Sequence, residues 1–252
     1  LYQTARYVDI YKALDDIAGT EFVWMDLAHN PLFLAYFTGE IASVTLEQTV
    51  QLTCFMSRII DYRSPFTAMH SAGVSASAKA LAQLAGMTFD ECLMMEIAGN
   101  LHDIGKLKTP RAILEKPGKL TEEEFNVIKE HPYYTRLMLM DVKGFNHIAN
   151  WAGYHHEKLN GSGYPFHLGA CDLDLGSRIV AVADVFSAVT EERPYRAGMD
   201  REHAMDVLNS NVKAGGIDGD VVALLAEHYS DVDAIRDETS RSEGARYFAS
   251  IG

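Results

Sequence analysis

Apolar residues recur three and four positions apart in segment after segment, whereas strict alternation is scarce, so the chain is expected to be all-α. Tyr7, Ile10, Tyr11, Leu14 and Ile17 mark one amphipathic helix, and "TLEQ" at 45–48 has the form of a capping box opening a helix toward Ile60. From Ser64 the pattern changes. "SPFTAMHSAGVSASAKALAQLAG" has Pro65 at a helix start, small residues along one side and Gly86 at the stop. A helix from about Phe89 runs into "GNLHDIGKLKTP", and "TEEE" at 121–124 opens another that leads to His131-Pro132. A helix ending in "HHE" precedes a long loop from Lys158 to about Leu175. The apolar helix "SRIVAVADVFSAVT" follows, and helices near 200–212 and 219–230 close the chain. The pattern divides into a small N-terminal helical region, 1–60, expected to be an accessory or interaction unit or the end of a sensor part, and a larger unit, 61–252.

At 252 residues, 48% of them hydrophobic, the chain can bury a sizeable core. Its apolar runs are broken by charge well short of the roughly 20 residues a membrane-spanning helix needs, and residues 1–25 lack a signal-peptide layout. No membrane contact is expected for this piece, which begins at Leu1 and reads as a fragment of a longer protein. Cys54, Cys92 and Cys171 form no CxxC pair, which suits a reducing compartment. The formal charge of −13 argues against binding a DNA or RNA polymer. A small phosphate ligand would need locally concentrated cations, from metals or a few basic side chains.

The chemistry lies in the histidines. His70, His102, His131, His155 and His156 fall on predicted helices or their ends beside other unusual polar residues. His203 looks like a surface position, and His29, His147, His167 and His228 have no comparable setting. Asp103 follows the apolar "CLMMEIAGNL", and Asp184 sits within "IVAVADVF"; a carboxylate in either place carries a large desolvation cost unless a cation compensates it. Five imidazoles and two such carboxylates suit divalent iron, manganese or zinc. Seven ligands exceed what one metal needs once a position stays open for water, so two metals are expected: Asp103 bridging, His70, His102 and Asp184 on one, His131, His155 and His156 on the other. Adjacent histidines on a helix point about 100° apart, so His155 and His156 would reach a metal from the pocket wall. Asn160-Gly161 and Gly163 would let the next loop turn sharply and approach a ligand.

"LHDIGK", "HP" at 131–132, "HHEKLNGSGYP" and "ADVFSAVTEERPYR" together resemble the HD-GYP domain, a branch of the HD phosphohydrolase superfamily, over about residues 61–230. The resemblance implies an HD-domain helical bundle with a dinuclear or trinuclear metal centre, and it carries the same seven ligands. Lys106 corresponds to a lysine that contacts the scissile phosphate, with Asp103 and Lys106 the catalytic pair. Arg193 and Arg196 correspond to basic residues that hold the second phosphate or a guanine. Gly161, Gly163, Tyr164 and Pro165 belong to the loop implicated in substrate contact and in binding partner proteins; a homodimer is the other assembly considered. Three departures stand out. Asn160 replaces an aspartate, with little loss expected; Ser187 replaces a second aspartate, with an altered contact or base preference expected; and Phe66 replaces the glutamate of members with a third metal, so two metals are expected.

The resemblance implies hydrolysis of a 3′,5′-cyclic dinucleotide, cyclic di-GMP or 3′,3′-cyclic GMP-AMP, to a linear 5′-phosphorylated dinucleotide by a hydroxide bridging two divalent metals. Iron or manganese stands foremost, with zinc, nickel, magnesium or calcium behind, in a bacterial cytoplasm. The alternatives are a non-hydrolytic cyclic-dinucleotide sensor or interaction module and a di-iron oxygenase.

Overall fold

A computed structural model describes residues 44–62, 70–192 and 197–251, with side chains for 44–58, 70–192 and 197–243. The expected helix around Tyr7–Ile17 lies outside the described residues, as do Pro65, Phe66, Arg193 and Arg196. The described chain runs α1 (Leu46–Tyr62), α2 (His70–Leu84), α3 (Phe89–Leu101), a 3-10 turn (Ile104–Lys108), α4 (Arg111–Leu114), α5 (Glu122–Ile128), α6 (His131–Met140), α7 (Asn146–Gly153), α8 (Leu175–Thr190), α9 (Arg201–Lys213), α10 (Gly219–Glu227) and α11 (Tyr229–Ile251). No strand occurs among the described residues, only an antiparallel bridge between Asn160 and Gly169. No helix there is long and apolar enough to cross a membrane.

Local chemistry sets the helix boundaries. Thr45 caps α1 through its own hydroxyl and a reciprocal bond from its N–H to Gln48. Thr88 and Thr121 open α3 and α5 with full capping boxes to Glu91 and Glu124. After α2, Gly86 takes φ +79°, and the Met87 and Gly86 amides bond to the carbonyls of Ala82 and Gln83, the paired closure of a Schellman end.

The small residues of α2 let neighbours close in on it from nearly all sides. It packs against α3, α8 and α11, with α3 resting on α1 and α7. Val74, Leu81, Met95, Ile97, Leu101, Ile148, Ile179 and Phe186 are fully buried between these helices. Each such side chain contributes about 1.5–3 kcal/mol of transfer free energy. The helix ends that meet at one edge of this packed core carry the polar residues of the site.

Candidate metal centre and adjoining loop

His70 is the first residue of α2, His102 the C-cap of α3, Asp103 the residue before the 3-10 turn, His131 the first residue of α6, and Asp184 lies within α8. His155 and His156 differ from expectation: they sit in a turn just past α7, which ends at Gly153, and not on a helix. The helix stops because the His155 side chain takes a carbonyl at its end, Nδ1 lying 2.6 Å from Ala152 O. All seven residues nonetheless converge. His70, His102 and Asp184 can place ligand atoms within 4.8 Å of one another, and so can His131, His155 and His156.

Three of the imidazoles are locked in the same way. Nδ1 of His102, His131 and His155 each meets the main-chain carbonyl three residues earlier, at 2.7, 2.7 and 2.6 Å. A carbonyl only accepts, so Nδ1 carries the proton and Nε2 presents its lone pair to the centre. His70 instead turns Nδ1 toward the buried carboxylate of Glu191, 3.3 Å away, and Nε2 to Asp184 Oδ1 at 3.0 Å. Sequence reading assigned Glu191 no role. It is the residue that ends α8, four positions beyond Ser187 and seven beyond Asp184, and that i, i+3, i+7 spacing was the available signal.

The two aspartates each span the centre. Asp103 Oδ2 is 3.3 Å from His102 Nε2, while Oδ1 is 3.1 Å from His131 Nε2. Asp184 Oδ1 faces His70 and Oδ2 lies 3.6 Å from His156 Nδ1. Lys106 Nζ also holds Asp103 Oδ2, at 2.5 Å, so the lysine expected at a phosphate is here paired with the carboxylate.

The electrostatics follow from this packing. Burial, reinforced by the other imidazoles, holds His155 well below the ordinary histidine range, and burial brings His156 down to about 3. Burial would lower His70 too, but hydrogen bonds to Asp184 and Glu191 outweigh it and raise it to about 10; Asp103 likewise overrides burial to raise His102. Against their own desolvation, Asp103 is held well down by Lys106 and His102, and Asp184 by His70 and His156. Two imidazoles held neutral by burial, two ionised carboxylates and a His70 protonated only for want of a competing cation form a donor set that fits divalent metal.

A pH dependence follows, with the sign set by His70 and His102. A metal takes the neutral imidazole, so near pH 7 it must displace the His70 proton, and its apparent affinity should climb with pH until about 10. Calorimetric titration in buffers of different ionisation enthalpy should record release of about one proton per chain or more, with His70 its main source; binding without proton release would contradict it. The metal-free fold behaves oppositely. The raised His70 contributes stability that is complete below the ordinary value of 6.5 and lost as pH rises through about 10.

The loop after the histidine pair is built on Glu157. This buried carboxylate accepts the amides of Phe166 at 2.7 Å and Leu168 at 2.9 Å, both just after the cis Tyr164-Pro165 bond. Gly163 is buried against it: a Cβ there would lie 2.4 Å from both Glu157 Cα and Lys158 N, so this glycine serves close backbone packing. Asn160 accepts from Ser162 N–H at 2.9 Å, and its amide donates to Ala214 O at 2.8 Å, a bond the usual aspartate could not make. The Tyr164 ring lies 4.9 Å from that of His156, and burial plus the charges of Asp184 and Asp103 raise its phenol, which stays a donor. Glu157→Ala should cost about 2–4 kcal/mol by orphaning two amides, with Glu157→Gln intermediate, measured by urea unfolding of the metal-free protein. A change under about 0.5 kcal/mol would contradict this role.

Ser187 is buried, and its hydroxyl has no hydrogen-bond partner among the described residues. His203 is exposed, its side chain on the α9 cap residue Asp200.

The HD domain family matches residues 55–221. The chain is 34% identical to 3′3′-cGAMP-specific phosphodiesterase 1 of Vibrio cholerae over 228 residues, 87% of this chain and 52% of that protein. It is 40% identical to the cyclic di-GMP phosphodiesterase PA4108 of Pseudomonas aeruginosa over 143 residues, 56% of this chain and 34% of that one. It thus spans about half the length, or less, of the curated relatives it matches. Bd1817, an HDG"Y"P protein of Bdellovibrio bacteriovorus, shares the fold at a TM-score of 0.55 and 20% identity, over 91% of this chain and 79% of that one. With its His-Asp centre and a family match spanning about two thirds of its length, the chain belongs to the HD domain family.

Proposed function

We propose that this chain hydrolyses a 3′,5′-cyclic dinucleotide to the linear 5′-phosphorylated dinucleotide with two divalent metals, iron or manganese foremost. The observation that carries the reading is Asp103: one carboxylate with an oxygen toward His102 and the other toward His131, between two groups of three ligands. His70, His102 and Asp184 would hold one metal and His131, His155 and His156 the other, with Asp103 available to both. Bound there, such a pair supplies Lewis acidity to phosphoryl oxygens and a water of lowered pKa.

The chain's own groups complete the chemistry. Fixed tautomers at His102, His131 and His155 orient lone pairs without reorganisation. Lys106, with a fifth of its side chain exposed beside Asp103, would present its ammonium to a non-bridging phosphate oxygen. Tyr164 donates at the mouth, Gly161, Gly163 and Pro165 fix its loop, and Arg193 and Arg196 hold the second phosphate or a base. In the reaction an oxygen–phosphorus bond forms from water, the bond from phosphorus to the ribose 3′-oxygen breaks, and that oxygen leaves with a proton.

The names of the matched relatives support cyclic dinucleotides as the substrate class. The test is anaerobic incubation of metal-loaded protein with cyclic di-GMP, cyclic GMP-AMP and cyclic di-AMP in ¹⁸O-water, with products read by mass spectrometry. A linear dinucleotide carrying one label on its 5′-phosphate is expected from at least one of them. Intact substrate at full metal loading would refute hydrolysis.

A further inference from the structure

The imidazoles of the centre differ in what stands behind them. Nδ1 of His102, His131 and His155 meets a neutral main-chain carbonyl, whereas Nδ1 of His70, at the start of α2, faces the Glu191 carboxylate at 3.3 Å. The other His70 nitrogen, Nε2, is turned to Asp184 Oδ1 at 3.0 Å, within the ligand group. A metal on His70 would therefore take Nε2, leaving Nδ1 as the protonated nitrogen with an anion beside it. A carbonyl fixes the tautomer. A carboxylate fixes it and also strengthens the imidazole as a donor, because it stabilises the positive charge that a bound cation draws onto the ring.

Glu191 is held where it can act in this way. It is the residue on which α8 stops: φ −70° and ψ 135° take it out of the helical conformation, while its amide still bonds to Ser187 O at 3.0 Å. Just before it, the Thr190 hydroxyl donates to Phe186 O at 2.7 Å. The returning chain seals this end. The Met199 N–H bonds to Val189 O at 2.9 Å, and Gly198 lies so close that a Cβ there would fall 2.1 Å from Thr190 O. The Glu191 side chain is only 6% exposed, and Asp184 is a second buried carboxylate on the opposite nitrogen of the same ring. Two carboxylates buried against one imidazole favour positive charge there, which a metal would supply. In the other ligand group, His131 and His155 have only carbonyls at Nδ1.

We propose that Glu191 is a positioning residue for the metal held by His70, His102 and Asp184, and that it strengthens that position and not the other. The inference rests on the two-metal reading and is independent of which substrate is cut.

The test is calorimetric titration of the metal-free full chain with manganese(II), wild type beside Glu191→Ala and Glu191→Gln, with bound metal counted by elemental analysis. The wild type should bind in two steps. Glu191→Ala should weaken one of them about tenfold to a hundredfold and leave the other within about threefold. Glu191→Gln, whose amide oxygen can accept the Nδ1–H without carrying charge, should recover part of the loss on the same step. In a His70→Ala chain, Glu191→Ala should have no further effect on either step, because the residue acts through His70. Equal weakening of both steps, no change in either, or an undiminished effect without His70 would overturn the proposal. Should Glu191→Ala not fold, Glu191→Gln decides: one step weakened supports the role, and wild-type binding overturns it. A single step in the wild type would refute the two-metal reading; the role then stands if Glu191→Ala weakens that step about tenfold and falls otherwise. A wild type that binds no manganese sinks both, whereas two-step binding without hydrolysis of any cyclic dinucleotide sinks only the substrate reading.

Discussion

Asp103→Ala should empty the centre of metal and lower kcat/KM for the cyclic dinucleotide by a thousandfold or more, about 4 kcal/mol of transition-state stabilisation. Both ligand groups depend on this one carboxylate, since its oxygens lie 3.3 Å from His102 Nε2 and 3.1 Å from His131 Nε2. Removing it also leaves Lys106 and the raised His102 without their partner, so residual cation binding meets positive charge instead of negative. The helical core does not depend on it, and far-ultraviolet circular dichroism should be preserved. Asp103→Asn keeps the volume and removes the charge; it should lose most of the metal as well. Wild-type turnover in either variant would contradict the role.

Gly105→Ala should be the most damaging glycine-to-alanine change among the described residues. A Cβ there would fall 1.9 Å from the carbonyl oxygen of His131 and 2.7 Å from the Thr135 amide, both backbone atoms that no rotamer change can move. Thr135 ties the same crossing together, accepting the Gly105 N–H at 3.0 Å and donating to His102 O at 2.8 Å. Forcing the His-Asp turn off α6 therefore separates ligands on its two sides. Overpacking of this kind costs about 3 kcal/mol or more, and metal content should fall with it. Thermal unfolding and elemental analysis of the same sample check both; wild-type values in both would show that the crossing yields without cost.

What the sequence made legible is mostly local. Capping boxes at Thr45 and Thr121 and the stop at Gly86 stand where their side-chain and backbone chemistry places them, because each involves residues within three or four positions. The ligand residues were legible for a different reason. A buried aspartate or histidine with no neutralising neighbour in sequence signals a partner elsewhere, and His70, His102 and Asp184 do meet across α2, α3 and α8.

Long-range partners were not legible. Nothing in "HHE" distinguishes a helix from the turn observed at His155, since the competition is between an imidazole and the next amide for the Ala152 carbonyl. Gly153 is the last residue of α7, and a Cβ there would meet Arg136 Cβ at 2.5 Å, so it marks where α6 and α7 pack closely, a contact no local pattern encodes. Glu157 had no role assigned from sequence, and it holds two loop amides. Glu191 on His70 and Asp184 facing both ligand groups depend on how α2 and α8 pack, which periodicity does not encode.

The most direct measurement is an anaerobic titration of metal-free protein with iron(II) or manganese(II), following hydrolysis of cyclic di-GMP and cyclic GMP-AMP against bound metal. The account predicts two metals per chain, with turnover appearing as the second is bound. Full activity without metal, or saturation of both sites with no hydrolysis of either dinucleotide, would contradict it.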